Sequence, residues 1–199
     1  QDKPVVSGEL IPPGSPYLVM ELVDGSALDA YPADSPWPTT QMLILNILDA
    51  LAHAHARGVI HRDLKPSNIL IETMGSQYFP RLVDFGISRC DDDQRETPLD
   101  LVPIGTPKYM APEQIRAEWR NHGPWTDLYS LGCIVYGLLS GRPLYQRESA
   151  GETMRAHLFA DIPALPPSLD LPRGVDLWLR RLLAKAPENR FQSAAEAAE

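Results

Sequence analysis

Cysteine is scarce in this chain of 199 residues. Only Cys90 and Cys133 occur, which is too few for a disulfide framework. Neither has a neighbouring Cys or His at the spacing of a zinc site. The sequence therefore excludes a secreted domain held together by disulfides. It predicts two free thiols in a reducing compartment, which we expect to be the cytoplasm.

Long apolar runs and an excess of positive charge are also missing. No stretch reaches about 18 consecutive apolar residues, so we predict no membrane segment in this chain. The net charge is -8 at pH 7. Nucleic acids and anionic membranes attract clustered Lys and Arg, so we expect neither as a partner. Because Gln1 is not an initiator Met and no secretion signal follows it, we expect the chain to begin inside a longer protein, which could be membrane-anchored elsewhere.

What is present fits one soluble globular domain, since 44% of the residues are hydrophobic and 22% are charged. Apolar residues at three- and four-residue steps predict a helix from Thr39 or Thr40 to Arg57, ended by Gly58. Residues 127–139, capped by Thr126, are apolar on nearly every side and predict a central core helix. We predict further helices at 149–160, 175–184 and 193–199, and strands at 17–22, 59–60, 69–71 and 81–83.

Three short motifs follow one another along the chain. They are His61-Arg62-Asp63-Leu64-Lys65-Pro66-Ser67-Asn68, Asp84-Phe85-Gly86 and Ala111-Pro112-Glu113. Their order and spacing resemble the catalytic domain of eukaryotic-like serine/threonine protein kinases of the bacterial type. The resemblance extends from about residue 5 to residue 199. It implies an α+β, protein-kinase-like fold consisting of the hinge and a mainly helical C-terminal lobe, with short strands at the active site.

The resemblance implies a division into residues 1–25, the end of the N-terminal lobe and the hinge, and residues 26–199, the C-terminal lobe. Most of the N-terminal lobe, including the glycine-rich loop and the strand lysine that hold ATP from above, is absent from the sequence. We therefore expect the chain to need that missing lobe and to have little activity alone.

The implied reaction transfers a phosphoryl group from ATP and Mg²⁺ to a protein hydroxyl. Asp63 would accept or orient the substrate hydroxyl proton, and Lys65 would place its ammonium near the γ-phosphate. Asn68 and Asp84 would supply hard oxygen ligands, which suit Mg²⁺.

The resemblance also assigns the walls of an adenine pocket. Met20 resembles the gatekeeper at its back, and Leu70 resembles the apolar floor beneath the base. Glu21 and Val23 resemble the hinge residues whose backbone groups bond adenine. For Met20 and Leu70, core packing is an equally simple reading, and the two readings are compatible because pocket walls are also core.

Other matching residues are implied to be structural. His61 and Phe85 resemble members of a regulatory hydrophobic stack, and Asp127 resembles the helix acid that holds the catalytic-loop backbone. Glu113 and Arg190 resemble an internal ion pair between the activation segment and the last helices.

The segment around Thr106 resembles the substrate-docking loop, with Thr106 bonding toward Asp63 and Lys65. Lys65 also favours Ser and Thr over Tyr as the acceptor. Ser67 replaces a glutamate that often accompanies a preference for basic substrates, so no such preference is expected.

Arg62 and Arg89 resemble basic residues that bind a phosphorylated activation loop. No Ser, Thr or Tyr occurs between Pro98 and Gly105. We hypothesise that Asp100 pairs with the two arginines in place of a phosphate. The alternative is that Asp100 is a solvated loop charge.

Two alternatives to a protein kinase stay open at this point. A kinase-like scaffold without catalysis is disfavoured because all the large-lobe catalytic residues are present. A kinase of small molecules with the same fold is disfavoured by the docking segment from Gly105 to Glu113.

Overall fold

A computed structural model describes residues 5–6, 9–10, 21–32, 35–75, 77–85, 106–167 and 169–199. Within these ranges helices predominate and the strands are short, as predicted. The strands are β1 Val5–Val6, β2 Glu9–Leu10, β3 Ser26–Ala27, β4 Ile69–Met74 and β5 Gln77–Leu82. The helices are α1 Trp37–His55, α2 Pro112–Ile115, α3 Pro124–Ser140, α4 Ala150–Phe159, α5 Val175–Leu182 and α6 Ala194–Ala198.

The long helix α1 ends as its sequence predicts. Gly58 adopts a left-handed backbone with φ of 73°, which glycine reaches without steric cost. Its N–H donates to the His55 carbonyl at 2.9 Å, and the Val59 N–H donates to the Ala54 carbonyl at 3.1 Å. These two bonds form a Schellman motif that satisfies the last carbonyls of the helix. The turn directs the chain from α1 into the loop that begins at His61.

Helix α3 is the centre of the core, which confirms the expectation for an apolar helix. Every residue from Thr126 to Tyr136 is buried. Helices α1, α5 and α6 pack against it, and α1 also packs against β5. The face of α1 that enters the core carries Ile47, Leu48 and Leu51, all fully buried.

Strands β3, β4 and β5 form an antiparallel sheet in that order. Ile69 pairs with Leu82, so the residues before β4 and after β5 meet at one end of the hairpin. Gly25, just before β3, lies so close to β4 that an added Cβ would come within 2.6 Å of the Ile71 carbonyl oxygen. Only glycine permits this approach, which fixes the segment before β3 against the sheet.

Three predicted boundaries were wrong. Helix α1 begins at Trp37 without a threonine cap, because Pro38 in its first turn favours an earlier start. Helix α3 likewise begins at Pro124, so Thr126 lies inside it. Residues 59–60 form no strand, because the Val59 N–H is already used in the helix cap.

The predicted strand at 17–22 lies mostly outside the described residues, and its last residue, Leu22, is 93% exposed rather than buried. The helices predicted at 149–160, 175–184 and 193–199 are confirmed as α4, α5 and α6. Ser149 caps α4 and Ser193 caps α6, each through its hydroxyl. Among the helices the structure describes, none has both the length and the apolar character to cross a membrane.

Candidate functional site

The loop from His61 to Asn68 is held from below by Asp127 in the first turn of α3. Asp127 is 1% exposed. Its Oδ1 accepts the Arg62 N–H and its Oδ2 accepts the His61 N–H, each at 2.8 Å. His55 Nε2, at the end of α1, donates to the same Oδ2 at 2.8 Å. One buried carboxylate therefore joins two helices to the backbone of the loop, as the prediction for Asp127 requires.

Arg62 needs this support because its backbone is unusual. Its φ is 64°, in the left-handed region, which costs a non-glycine residue roughly 1–2 kcal/mol. Asp127 binds the N–H of Arg62, and Gln114 Nε2 donates to its carbonyl oxygen at 2.7 Å. The backbone N–H and carbonyl of Arg62 are therefore both fixed by side chains from distant parts of the chain.

The His61 ring connects this loop to the segment after β5. Its Nε2 donates to the Val83 carbonyl at 2.9 Å, and its Nδ1 accepts the Asp63 N–H at 3.4 Å. The ring centroid lies 4.7 Å from that of Phe85. The two rings predicted to stack are therefore in contact, and the imidazole also links the backbones on both sides of the site.

Asp63 and Lys65 form the open part of the site. Lys65 Nζ donates to Asp63 Oδ2 at 2.7 Å, and the two side chains are 33% and 26% exposed for Asp63 and Lys65. Thr106 lines the same small void as Asp63, but the expected bond from Thr106 is not formed. The Asp63 carboxylate is bonded by the Lys65 ammonium instead, which makes the closer and charge-assisted contact.

Asn68 and Asp84 are brought to the same place by the register of β4 and β5. The Asn68 carbonyl accepts the Val83 N–H at 3.0 Å, so Asp84 follows directly beyond this pair. Asn68 Nδ2 donates to the Asp63 carbonyl at 2.9 Å. Because that bond occupies the amide nitrogen, the amide oxygen is left as the ligand atom.

The donor set at this position fits Mg²⁺. Asp84 is exposed, with φ of 55°, and Asn68 is buried. The described residues hold no group of three or more His, Cys, Asp or Glu side chains arranged for a metal. Mg²⁺ commonly binds one or two protein carboxylates and completes its shell with phosphate oxygens and water, so an Asp–Asn pair suits it.

The predicted adenine pocket is described in part. Leu70 is half-buried, whereas its neighbours Ile69 and Ile71 point into the core. Alternation along β4 therefore places Leu70 on the face opposite the core, where a pocket floor would lie. Val23 is half-buried and Glu21 is exposed, both in irregular backbone before β3. Met20 lies outside the described residues.

Glu113 and Arg190 form a fully buried ion pair, as predicted from the sequence. Two parallel bonds of 2.8 and 2.9 Å join the guanidinium to the carboxylate. The other three guanidinium N–H groups donate to the carbonyls of Trp125, Ala184 and Lys185. All five donors of Arg190 are thus satisfied, which a buried guanidinium requires.

The segment that begins at Thr106 is bonded to α3 as well. Ser130 Oγ donates to the Tyr109 carbonyl at 2.7 Å. Burial, with a smaller contribution from the Asp29 carboxylate, raises the pKa of Tyr109. Arg89 and Asp100 lie outside the described residues, so the suggested ion pair of Asp100 with Arg62 stays a prediction.

A buried polar cluster lies between α3, α4 and α5. The Tyr129 hydroxyl and His157 Nδ1 share a hydrogen bond of 2.9 Å. Lys185 Nζ donates to the His157 carbonyl at 2.8 Å and to the Tyr145 hydroxyl at 3.0 Å. Burial, reinforced by the Lys185 ammonium, lowers the pKa of His157 to about 4, and burial lowers the pKa of Lys185 to about 8.

Sequence reasoning missed three residues of this site: His55, Gln114 and Ser130. Each makes a side-chain bond to a distant residue, and none belongs to the motif letters that identify the loop. Gln114 does follow Glu113 directly, and its place beside the third motif is the one sequence signal that could have indicated it. A cavity of about 280 Å³ between α1, α5 and α6, lined by Trp37 and Trp178 among others, contains none of the predicted site residues.

Comparison of the sequence with known proteins identifies its family. The protein kinase domain model matches residues 10–199. The serine/threonine-protein kinase PknB of Mycobacterium leprae is 37% identical over 187 residues, which cover 91% of this chain. Pkn1 of Myxococcus xanthus is 39% identical over 92% of the chain, and PkaA of Streptomyces coelicolor is 40% identical over 94%.

The matched region is a minor part of each relative. It covers 29% of the Mycobacterium leprae protein, 27% of the Myxococcus xanthus protein and 33% of the Streptomyces coelicolor protein. The similarity is therefore to one portion of longer proteins, each of which is named as a serine/threonine-protein kinase.

Proposed function

Because the chain belongs to the protein kinase domain family, we propose that it carries the catalytic and substrate-docking part of a serine/threonine protein kinase that uses ATP and Mg²⁺. The observation that carries the proposal is the loop clamped by Asp127, from which Asp63 and Lys65 project together. Phosphoryl transfer depends mainly on positioning and on charge stabilisation, and this arrangement supplies both.

Asp63 is the group that would receive the substrate hydroxyl. Its side chain is partly exposed, and it accepts one bond from Lys65. A carboxylate has about four acceptor positions, so capacity remains for an incoming hydroxyl. Asp63 would orient that hydroxyl and accept its proton as the oxygen attacks the γ-phosphorus of ATP. The bond from the γ-phosphorus to the β,γ-bridging oxygen breaks at the same time, and ADP is the leaving group.

Lys65, Asn68 and Asp84 handle the negative charge of the transferred group. The Lys65 ammonium lies 2.7 Å from Asp63 and stabilises charge beside the attacking oxygen. Asn68 and Asp84 would hold the metal through their oxygen atoms. Bound Mg²⁺ would neutralise phosphate charge and orient the γ-phosphate.

A protein acceptor is favoured by the docking segment, and Lys65 in the catalytic loop favours Ser or Thr over Tyr. The stretch from Thr106 to Glu113 is anchored to α3 by Ser130 and lies against the same small void as Asp63. Its Tyr109 and the short turn at residues 107–109 form a backbone surface beside Asp63 on which a polypeptide could lie. The nucleotide would contact Leu70 and the segment of Glu21 and Val23 from one side. We propose that residues preceding this region complete the ATP site, and that residues 1–199 alone transfer phosphate slowly.

The test is phosphotransfer by the complete protein encoded by the gene. The purified protein is incubated with labelled ATP, Mg²⁺ and a mixture of protein substrates, and the labelled amino acids are separated after hydrolysis. We expect phosphoserine and phosphothreonine, and no phosphotyrosine above background. Label that is absent with and without added Mg²⁺, in a protein that binds ATP, would favour a scaffold instead.

A matched pair of variants excludes a contaminating kinase. Asp63→Asn removes the proposed proton acceptor, whereas Asp49→Asn makes the same chemical change at an exposed position of α1. Label should disappear in the first variant and persist in the second. Equal labelling by both would show that the activity belongs to another protein.

A further inference from the structure

Gln114 lies at a junction between the docking segment and the catalytic loop. Its side chain is 4% exposed. Nε2 donates to the Arg62 carbonyl oxygen at 2.7 Å, and Oε1 accepts the Ala111 N–H at 3.0 Å. Both polar atoms of the amide are therefore bonded, Nε2 to the catalytic loop and Oε1 to the end of the docking segment.

The acceptor of the first bond is the carbonyl that directly precedes Asp63. Rotation of the peptide plane between Arg62 and Asp63 would change the direction in which the Asp63 side chain leaves the backbone. The left-handed φ of Arg62 is unfavourable for a non-glycine residue, so this part of the backbone needs support. Asp127 accepts the Arg62 N–H, and His61 Nδ1 accepts the Asp63 N–H at the longer distance of 3.4 Å. Gln114 supplies the short bond to the carbonyl oxygen of the same peptide.

The second bond extends the restraint to the docking segment. Ala111 is fully buried at the start of α2, four residues after Pro107. The Tyr109 carbonyl, two residues before Ala111, is held by Ser130 from α3. A displacement of the docking backbone therefore reaches the Arg62–Asp63 peptide through a single buried side chain.

We infer that Gln114 is a positioning residue that sets the orientation of Asp63 and transmits the position of the docking segment to it. This inference rests on the proposed kinase function for its catalytic readout. Gln114 itself touches neither substrate nor nucleotide in this arrangement, so it acts only through the peptide before Asp63. A positioning role predicts that kcat per competent site falls and that the loop exchanges its amide hydrogens faster when Gln114 is replaced. A residue that merely fills the core would not change kcat per competent site.

Two variants of the complete protein separate the two bonds. Gln114→Glu keeps an acceptor for the Ala111 N–H but removes the donor to Arg62. Gln114→Met has a similar length and removes both bonds. Gln146→Glu is the matched control, because Gln146 is exposed on the surface. Kinetics are measured at saturating ATP and protein substrate, with the concentration of competent sites determined by nucleotide titration.

Loss of one buried hydrogen bond at the catalytic loop is expected to lower kcat per competent site about tenfold in Gln114→Glu. The KM for ATP should stay within about twofold of the parent, because the nucleotide walls lie elsewhere. Gln146→Glu should match the parent. If kcat per competent site is unchanged in Gln114→Glu, or falls only in proportion to the sites lost, the positioning role is wrong.

Amide hydrogen exchange tests the same bond without catalysis. In Gln114→Met, peptides covering residues 59–66 should exchange faster than in the parent, and peptides from the middle of α3 should not. If Gln114→Met fails to fold, Gln114→Glu carries this comparison. Unchanged exchange in the loop would overturn the inference. If the loop exchanges faster in Gln114→Met but the parent protein transfers no phosphate, the proposed function is contradicted while the restraint by Gln114 stands.

Discussion

Asp127 and Asp63 are carboxylates on the two sides of one short loop, and their surroundings differ. Asp127 is 1% exposed and accepts three hydrogen bonds, two of them from the loop backbone. The side chain of Asp63 is 33% exposed and bonded to Lys65. Both oxygens of the buried Asp127 carboxylate are engaged in holding the chain, whereas the open Asp63 carboxylate retains acceptor positions for a ligand.

The same difference recurs away from the loop. Glu113 is fully buried, with its oxygens bonded by Arg190 and Thr126. Asp176, on α5, is 53% exposed and pairs with Arg180 one turn along. We therefore expect burial and partner number to sort these acids into those that hold the fold and those that leave it nearly unchanged when replaced.

The largest effect should come from the two acids at the loop. Asp63→Asn is expected to reduce phosphotransfer by about 10²–10⁴-fold, because it removes the proton acceptor, and to change the free energy of unfolding by less than about 0.5 kcal/mol. Asp127→Asn should lower both activity and stability, the latter by about 1–3 kcal/mol, because an amide cannot accept all three bonds. Steady-state rates and urea unfolding of the complete protein measure both. A clear stability loss in Asp63→Asn would contradict the distinction between the buried Asp127 and the open Asp63.

Glu113→Gln should have the largest effect on stability alone. It leaves the buried guanidinium of Arg190 without its counter-charge, which typically costs about 3–5 kcal/mol. Urea unfolding at pH 7 should show a lower midpoint with an unchanged slope. Asp49→Asn, an exposed acid on α1, serves as the control and should unfold like the parent. A loss below about 1 kcal/mol would mean that the ion pair contributes little.

His157 should make the protein sensitive to acid. Its pKa is lowered to about 4 by burial and the nearby Lys185 ammonium, so the unfolded chain binds a proton there more readily than the folded one. The free energy of unfolding should therefore fall as pH drops from about 6.5 to 4, by at most about 3 kcal/mol from this residue.

Unfolding at several pH values in that window tests the assignment. His157→Gln removes the titrating group and should flatten the pH dependence, even if it lowers stability overall. His53→Gln makes the same change at an exposed position of α1 and should retain the parent's pH dependence. Identical pH profiles for the parent and His157→Gln would show that the buried imidazole does not titrate in this way.

The smallest expected effect is at the surface. Asp176→Asn breaks an exposed pair between residues one turn apart on α5, and such pairs contribute about 0.3–0.5 kcal/mol. The shift should shrink as salt is added, since exposed charges are screened. Thermal unfolding at low and high salt measures it. A loss approaching that of Glu113→Gln would contradict the sorting of acids by burial.

Part of this site could be predicted because its signals are local. Asp63, Lys65 and Asn68 belong to one continuous motif, and Asp84 follows at the end of a short strand. The resemblance to protein kinases also implied the buried partners Glu113 and Arg190, although they are 77 positions apart. The catalytic and metal-binding roles of Asp63, Lys65, Asn68 and Asp84 remain predictions.

The rest depends on partners that no local pattern specifies. His55 bonds Asp127 across 72 positions, and Gln114 bonds Arg62 across 52. A histidine at the end of an amphipathic helix and a glutamine after a motif look like ordinary surface residues until the fold brings their partners near. Helix starts were missed for a simpler reason, because proline in the first turn outweighed a threonine cap.

The left-handed residues Arg62 and Asp84 have a consequence for the order of events during synthesis. Their backbone is unfavourable without support, and the support for Arg62 comes from Asp127, 65 positions later in the chain. A ribosome adds about 5–20 residues per second, so the loop emerges several seconds before α3. The nascent chain therefore contains the whole sequence of the loop before the carboxylate that holds its backbone has been made, and the loop takes its final shape only when α3 has docked.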